Sequence, residues 1–284
     1  MNSHIWKIIY AAIREVNRQI GPARRRCAYP DTLILAMFMW SVGHDRPRCW
    51  AAQRSSYYGP FRPHRLPSRS QFMRRINSPR CQAMLAALHK QLAGHPQRSQ
   101  LAFVDGHALP VRRHSTDADA RVGRGVGGMA RGYKLHAYIT GDGRISYFRV
   151  TPLNVCEKKM AHGLLLEAQP NGVILGDAMY DDAKLFEAAR RSGGRFIAPP
   201  RDGAGRGHVP QSPARLEAIA RWPEDEALHQ KRRNVERYFG QLTCFGGGLA
   251  PLPAWVRTLP RVRMWVTAKI ILYHARLQIR SPAA

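Results

Sequence analysis

Apolar residues recur at helical spacing through the first ninety positions of the chain. Ile5, Ile8, Ile9, Ala12, Ile13 and Val16 fall on one stripe and predict a first helix that buries one face and stops before Gly21-Pro22. A second helix is expected over Asp31 to Val42, with Asp31 able to cap it after Pro30, followed by a shorter segment from Pro47 to Arg54. A connector rich in Pro, Arg and Tyr, Ser55 to Pro67, leads to Ser68, which caps a short basic helix ending at Ile76. Residues 80–93 give one more amphipathic helix, and His95-Pro96 marks a boundary. The segment Ser68 to Ile76 reads equally as the recognition helix of a helix-turn-helix or as a structural helix with solvated arginines.

Beyond that boundary the pattern changes to alternating strands and helices. Leu101-Ala102-Phe103-Val104 is wholly apolar, as in buried central strands, and delivers Asp105 at its carboxyl end. Tyr133 to Thr140 alternates apolar and polar residues, turns at Gly141-Asp142-Gly143 and returns over Ile145 to Val150, which predicts a hairpin. A helix from Glu157 to Ala168, a strand Val173 to Gly176 delivering Asp177, a helix Asp181 to Arg191 and a strand Arg195 to Ala198 follow. With a helix around Glu236, the order is β-β-β-α-β-α-β-α. His114 to Gly132 is expected to be a flexible arginine-bearing loop. Its Gly123-Arg124-Gly125-Val126-Gly127-Gly128 matches a dinucleotide fingerprint in letters only, since no strand immediately precedes it and no helix opens from it. Val262, Trp265, Val266, Ile270 and Tyr273 predict a C-terminal helix over Leu259 to Leu277 that either covers the sheet or pairs with the amino-terminal helices. The expected division is a helical region, 1–97, and an α/β region, 98–284.

Charge sharpens this picture. The 284 residues carry 45 Lys and Arg against 19 Asp and Glu, a net charge of +26, which suits a polyanionic partner better than a small neutral substrate. Only eight of the 45 basic residues are Lys, so a bias of the genome toward Arg competes with selection for bidentate phosphate contacts. Residues 1–104 hold 17 basic residues against Glu15, Asp31 and Asp45, and no carboxylate occurs from Arg46 to Val104. Such a stretch reads as a phosphate-docking surface, with Arg69, Arg74 and Arg75 as its DNA-contacting candidates. Five scattered cysteines without a C-x-x-C pair indicate neither a zinc knuckle nor a disulfide framework, and a reducing compartment. The longest apolar run, Thr32 to Gly43, is too short to span a bilayer, and no secretory leader is recognisable, so a cytoplasmic, nucleoid-associated protein is expected.

The candidate chemistry lies in the carboxylates. Aspartate directly after an apolar strand is costly to desolvate, yet Phe103-Val104-Asp105-Gly106 and Leu175-Gly176-Asp177-Ala178 repeat the arrangement. Open sheets bind ligands beyond the carboxyl ends of their strands, so neighbouring strands would bring the two acids together there. Like charges so close need a cation, and hard oxygen donors suit Mg²⁺ or Mn²⁺. A pair of solvated loop aspartates is the plainer alternative. In the segment His229 to Leu242, Val235, Tyr238, Phe239 and Leu242 form an apolar stripe. Glu236, Arg232, His229 and Thr243 share one flank, roughly 60–120° around the helix from Val235. A simple Arg232–Glu236 ion pair would explain the same spacing.

These segments resemble the DDE transposases of bacterial insertion sequences, which have a ribonuclease H-like fold. The resemblance rests on Phe-Val-Asp105-Gly, Gly-Asp177-Ala-Met-Tyr180, Arg232-x-x-x-Glu236 and Gly132-Tyr-Lys134-Leu-His. It covers about residues 101 to 275, with 71 residues between the aspartates and 58 before the glutamate. The fold class it implies is α/β, a ribonuclease H-like mixed sheet flanked by helices and preceded by a small all-α domain. It further implies two Mg²⁺ ions, replaceable by Mn²⁺, held by Asp105, Asp177 and Glu236. Arg232, Arg233 and Lys134 would contact phosphate, with His229 and Tyr180 as auxiliary residues. Its partners would be double-stranded DNA, both the inverted repeats and the target, engaged by a homodimer that cleaves a strand and then joins its 3′ end. His229 and Thr243 stand where the family carries Tyr and Lys, and Arg233 or Arg237 offers a substitute for the lysine. A nuclease without joining activity, a repressor descended from a transposase and an RNA-associated structural protein are the competing readings.

Overall fold

A computed structural model describes the chain except for residues 22–26, 95–98, 113, 126, 202–211, 245–247, 250 and 281–284. In chain order its elements are α1 (Ser3–Ile20), α2 (Asp31–Gly43), 3-10 turns at Trp50–Ala52 and Arg54–Ser56, α3 (Arg69–Ile76), α4 (Pro79–Ala93), β1 (Leu101–Pro110), β2 (Arg121–Gly125), β3 (Gly128–Thr140), β4 (Ile145–Pro152), α5 (Glu157–Ala168), β5 (Val173–Leu175), a 3-10 turn at Ala178–Tyr180, α6 (Ala183–Arg191), β6 (Arg195–Ile197), α7 (Pro213–His229), a 3-10 turn at Gln230–Arg233, α8 (Asn234–Thr243) and α9 (Leu259–Arg280). Among the described residues no helix is long and apolar enough to cross a membrane. Two compact units result: residues 1–94 with 242–284, and residues 95–241. The expected boundary at His95-Pro96 lies outside the described residues.

The first unit is helical. Asn2 caps α1 by accepting from the His4 and Ile5 amides, and the predicted stripe is buried together with Trp6, except for Ile8, which is half-buried. Apolar residues encircle α2, and Ile34 to Val42 are almost wholly enclosed, as in a central helix. Trp40 at its heart meets Trp6 edge-on at 5.0 Å and donates its indole N–H to the Ser56 carbonyl at 2.9 Å. The short basic helix α3 carries a capping box between Ser68 and Gln71, and Pro79 opens α4 after the Ser78 cap. The C-terminal helix α9 packs on α1, α2 and α4. Of the two positions open to it from sequence, the structure takes the one beside the amino-terminal helices. The compact units therefore do not follow the expected division at 97/98.

The second unit is a mixed six-stranded sheet flanked by helices. Its strand order is β2-β3-β1-β5-β6, with β4 also paired to β3. β3 runs antiparallel to β1, β2 and β4, whereas β1, β5 and β6 are parallel. Ala102 and Val104 of β1 share an apolar core with Ala161, Leu164 and Leu165 of α5 and with Leu185 and Phe186 of α6. Behind this core Asp181 and Arg215 form a buried two-pronged ion pair at 2.7 and 2.8 Å.

Three features depart from the sequence expectations. β1 does not end at Asp105 but continues to Pro110, because β3 pairs with it as far as Gly132. The presumed loop His114 to Gly132 contains β2 and the start of β3, paired from Arg121↔Gly132 to Gly125↔Gly128. Period-two alternation is absent there because the glycines serve the backbone: a Cβ on Gly123 would lie 2.6 Å from the Leu153 carbonyl oxygen. Helix α7 was unforeseen, since its apolar face is slight and Pro223 sits inside it.

Candidate active site

Strand register brings the two aspartates together. The parallel pairing of β1 with β5 ends at Phe103↔Leu175, and Asp105 and Asp177 each lie two residues past that last rung. Side chains alternate along a strand, so Asp105 shares a face with Phe103 and His107. Phe103 meets Tyr238 at 6.0 Å and His107 stacks on Phe239 at 4.9 Å, so this is the face covered by α8. The Tyr238 hydroxyl anchors that helix by donating to the Gly141 carbonyl at 2.7 Å.

The segment leading into α8 supplies a cation to both acids. Arg232 Nη2 lies 2.9 Å from Asp105 Oδ2 and 3.6 Å from Asp177 Oδ2. The remaining carboxylate oxygens accept from the backbone, Asp105 Oδ1 from Gly106 N–H at 2.8 Å and Asp177 Oδ1 from Met179 N–H at 2.7 Å. Burial pushes the Asp105 carboxyl up to about 6. Arg232 and the Gly106 amide oppose that rise, while Asp177 and Glu157 add to it. His229 Nε2 lies 2.8 Å from the Gly176 carbonyl oxygen, directly before Asp177, which ties the end of α7 to the end of β5.

A third acid stands nearby that sequence reasoning passed over. Glu157, in the first turn of α5, accepts from Lys134 Nζ at 2.5 Å and from the Tyr180 hydroxyl at 3.1 Å. Burial works against its charge, but these donors hold its carboxyl below the ordinary value. A Cβ on Gly106 would lie 2.9 Å from its Oε2, so glycine makes room for it beside Asp105. Asp105, Asp177, Glu157, Lys134, Lys158 and Arg124 line one cleft of about 730 Å³. Glu157 resembled any acid in a first helical turn, and the available signal was its place at the start of the helix that follows the hairpin.

The expected residues therefore divide. Asp105, Asp177, Arg232, Lys134, Tyr180 and His229 come together, whereas Glu236 is exposed on α8, one turn past Arg232, and Arg233 is exposed as well. Among the described residues no three His, Cys, Asp or Glu side chains are assembled to hold a metal ion. In the helical unit Arg69 and Arg74 are exposed, but Arg75 bonds Asp31 at 2.5 Å, and Asp31 also accepts from Arg80 at 2.7 Å.

A mixed sheet with paired acids just past the last rung of its parallel β1–β5 pairing places the chain in the ribonuclease H-like class. A family profile described as "Transposase DDE domain" matches residues 96–264, well over half of the chain, and the protein belongs to that family. Comparison with curated protein sequences gives no match.

Proposed function

We propose that this protein binds the ends of its own insertion sequence as a homodimer and performs metal-dependent DNA strand cleavage and strand transfer. Asp105, Asp177 and Glu236 are its metal-holding acids. The observation that carries the reading is the convergence of Asp105 and Asp177 on one cation in a transposase DDE fold. The net charge of +26 supports DNA as the partner.

The residues fit a divalent metal. Two hard-oxygen carboxylates face a shared positive charge, and Asp105 is buried beyond what Arg232 neutralises, so its acidity is weakened. Asp105 and Asp177 would hold the metal, and Glu236, exposed one turn past Arg232, is the third ligand that the family resemblance implies. When bound, paired Mg²⁺ or Mn²⁺ ions supply Lewis-acid activation of the attacking oxygen and charge stabilisation at the leaving oxygen. Arg232 is placed to exchange its carboxylate contacts for phosphate, and among the described residues its Nε has no hydrogen-bond partner. Lys134 and Lys158 present positive charge along the same cleft to orient the DNA backbone. His229 fixes the backbone ahead of Asp177. In-line attack by water, then by the freed 3′-hydroxyl, requires no covalent link to the protein.

The test uses DNA flanking the gene as the source of terminal repeats. Asp105→Asn, Asp177→Asn and Glu236→Gln are each expected to abolish cleavage and strand transfer while end binding persists. An acid whose variant still transfers strands is not part of the site. Cleavage without joining by the unaltered protein would establish a nuclease instead, and end binding without cleavage a repressor.

A further inference from the structure

Every carboxylate oxygen of Asp105 and Asp177 has a partner within the chain. The two Oδ1 atoms accept from the Gly106 and Met179 amides, which the fold holds in place. The two Oδ2 atoms share one partner, Arg232 Nη2, at 2.9 and 3.6 Å. A divalent ion bridging the pair needs those same two oxygens. The guanidinium cannot stay on them when the ion binds, because two cations would then stand a few ångströms apart. Arg232 and the metal therefore compete for one position.

The local structure makes Arg232 the member that can move. It belongs to the 3-10 turn Gln230–Arg233, where hydrogen bonds are poorer than in the α-helices on either side. His229 on the Gly176 carbonyl oxygen and Tyr238 on the Gly141 carbonyl oxygen pin the chain before and after that turn, so the side chain can swing without displacing α8. The buried Nε of Arg232 has no hydrogen-bond partner among the described residues, so the two acids satisfy only part of the guanidinium. A phosphodiester can accept from Nε and Nη2 together, the paired geometry in which arginine binds oxyanions most strongly. The side chain is 21% exposed, which leaves a phosphate a way in. We propose that Arg232 is a cation gate: a DNA phosphate draws the guanidinium off Asp105 and Asp177, so the metal binds tightly only once DNA is in place. The gate rests on the metal-holding role proposed above for the two aspartates. Linkage is reciprocal, so the metal must tighten DNA binding by the factor with which DNA tightens metal binding.

The test is Mn²⁺ binding by the full-length protein, read from the paramagnetic resonance of the free ion. It is run without DNA and with a terminal-repeat duplex already cut at its 3′ end, so the readout needs no strand cleavage. The same duplex, labelled, reports DNA affinity by anisotropy in Mn²⁺ and in chelator at matched ionic strength. Asp105→Asn sets the background of ions held by the DNA alone. For the unaltered protein, DNA is expected to tighten Mn²⁺ binding at least about tenfold, and Mn²⁺ to tighten DNA binding equally. Arg232→Gln should bind Mn²⁺ tightly without DNA, and adding DNA should then change that affinity less than about threefold. The reciprocal measurement on the unaltered protein needs no variant and stands even if Arg232→Gln does not fold. Mn²⁺ binding by the unaltered protein that is equally tight with and without DNA would overturn the gate. So would weaker Mn²⁺ binding by folded Arg232→Gln than by the unaltered protein in the absence of DNA. Undiminished Mn²⁺ binding by Asp105→Asn is a different failure, one that removes the aspartates from the metal site and takes the gate with them.

Discussion

Replacing Asp105 by Asn should make the protein more stable in chelator. Burial is the largest influence on this carboxyl and lifts it from 3.8 to about 6 despite Arg232 at 2.9 Å. Below about pH 4 the acid is protonated in folded and unfolded chains alike and contributes nothing. As pH climbs through about 4 to 6, the unfolded chain releases its proton first, so stability falls, and above about 6 the whole penalty is present. A displacement of roughly two units at 1.36 kcal/mol each amounts to about 3 kcal/mol. Asparagine imitates the protonated acid and removes that penalty. Urea denaturation in chelator at about pH 7.5 should therefore show Asp105→Asn to be the more stable protein by up to about 3 kcal/mol, the advantage vanishing toward about pH 4. A variant less stable than the parent at the higher pH would refute the reasoning, because the Arg232 contact would then outweigh desolvation.

Two further outcomes follow from the same unit. Asp181→Asn strands Arg215, whose side chain is 6% exposed, and should cost about 3–5 kcal/mol in chemical denaturation. Burial opposes the Asp181 charge but Arg215 holds its pKa below the usual range, so its stabilisation is present above about pH 4 and lost as pH falls through the lowered value; a loss under about 1 kcal/mol would contradict this account. Gly123→Ala would press a methyl group onto the backbone of Leu153 and Asn154, at 2.6 and 2.9 Å, costing about 1–3 kcal/mol and exposing β2 amides to hydrogen exchange. Unaltered exchange in β2 would show that the close approach is not needed.

What could be read from the sequence follows from how each residue earns its place. Asp105 and Asp177 were legible because a charged residue after an apolar run is costly and needs a reason. That they sit level, two residues past one rung, required the strand register. Glycine-rich β2 was hidden because backbone pairing and close approach leave no apolar period. Glu157 was hidden because its meaning comes from Lys134, Tyr180 and Gly106, which only the folded sheet places around it. Helical spacing set Arg232 on one flank with Glu236, His229 and Thr243, but Arg232 lies in a 3-10 turn before α8 begins, and Glu236, in α8, is exposed.

The packing of α9 on α1, α2 and α4 has a consequence for biosynthesis. Residues 95–241 are an insertion between two stretches that complete one another, so the ribosome delivers the whole sheet before it delivers the last helix of the helical unit. During that interval α1, α2 and α4 have only one another to pack on and lack the apolar face of α9. The sheet, whose pairings lie within a continuous stretch, can close first. A nascent chain arrested before residue 259 should therefore carry a protease-resistant sheet beside unfinished helices.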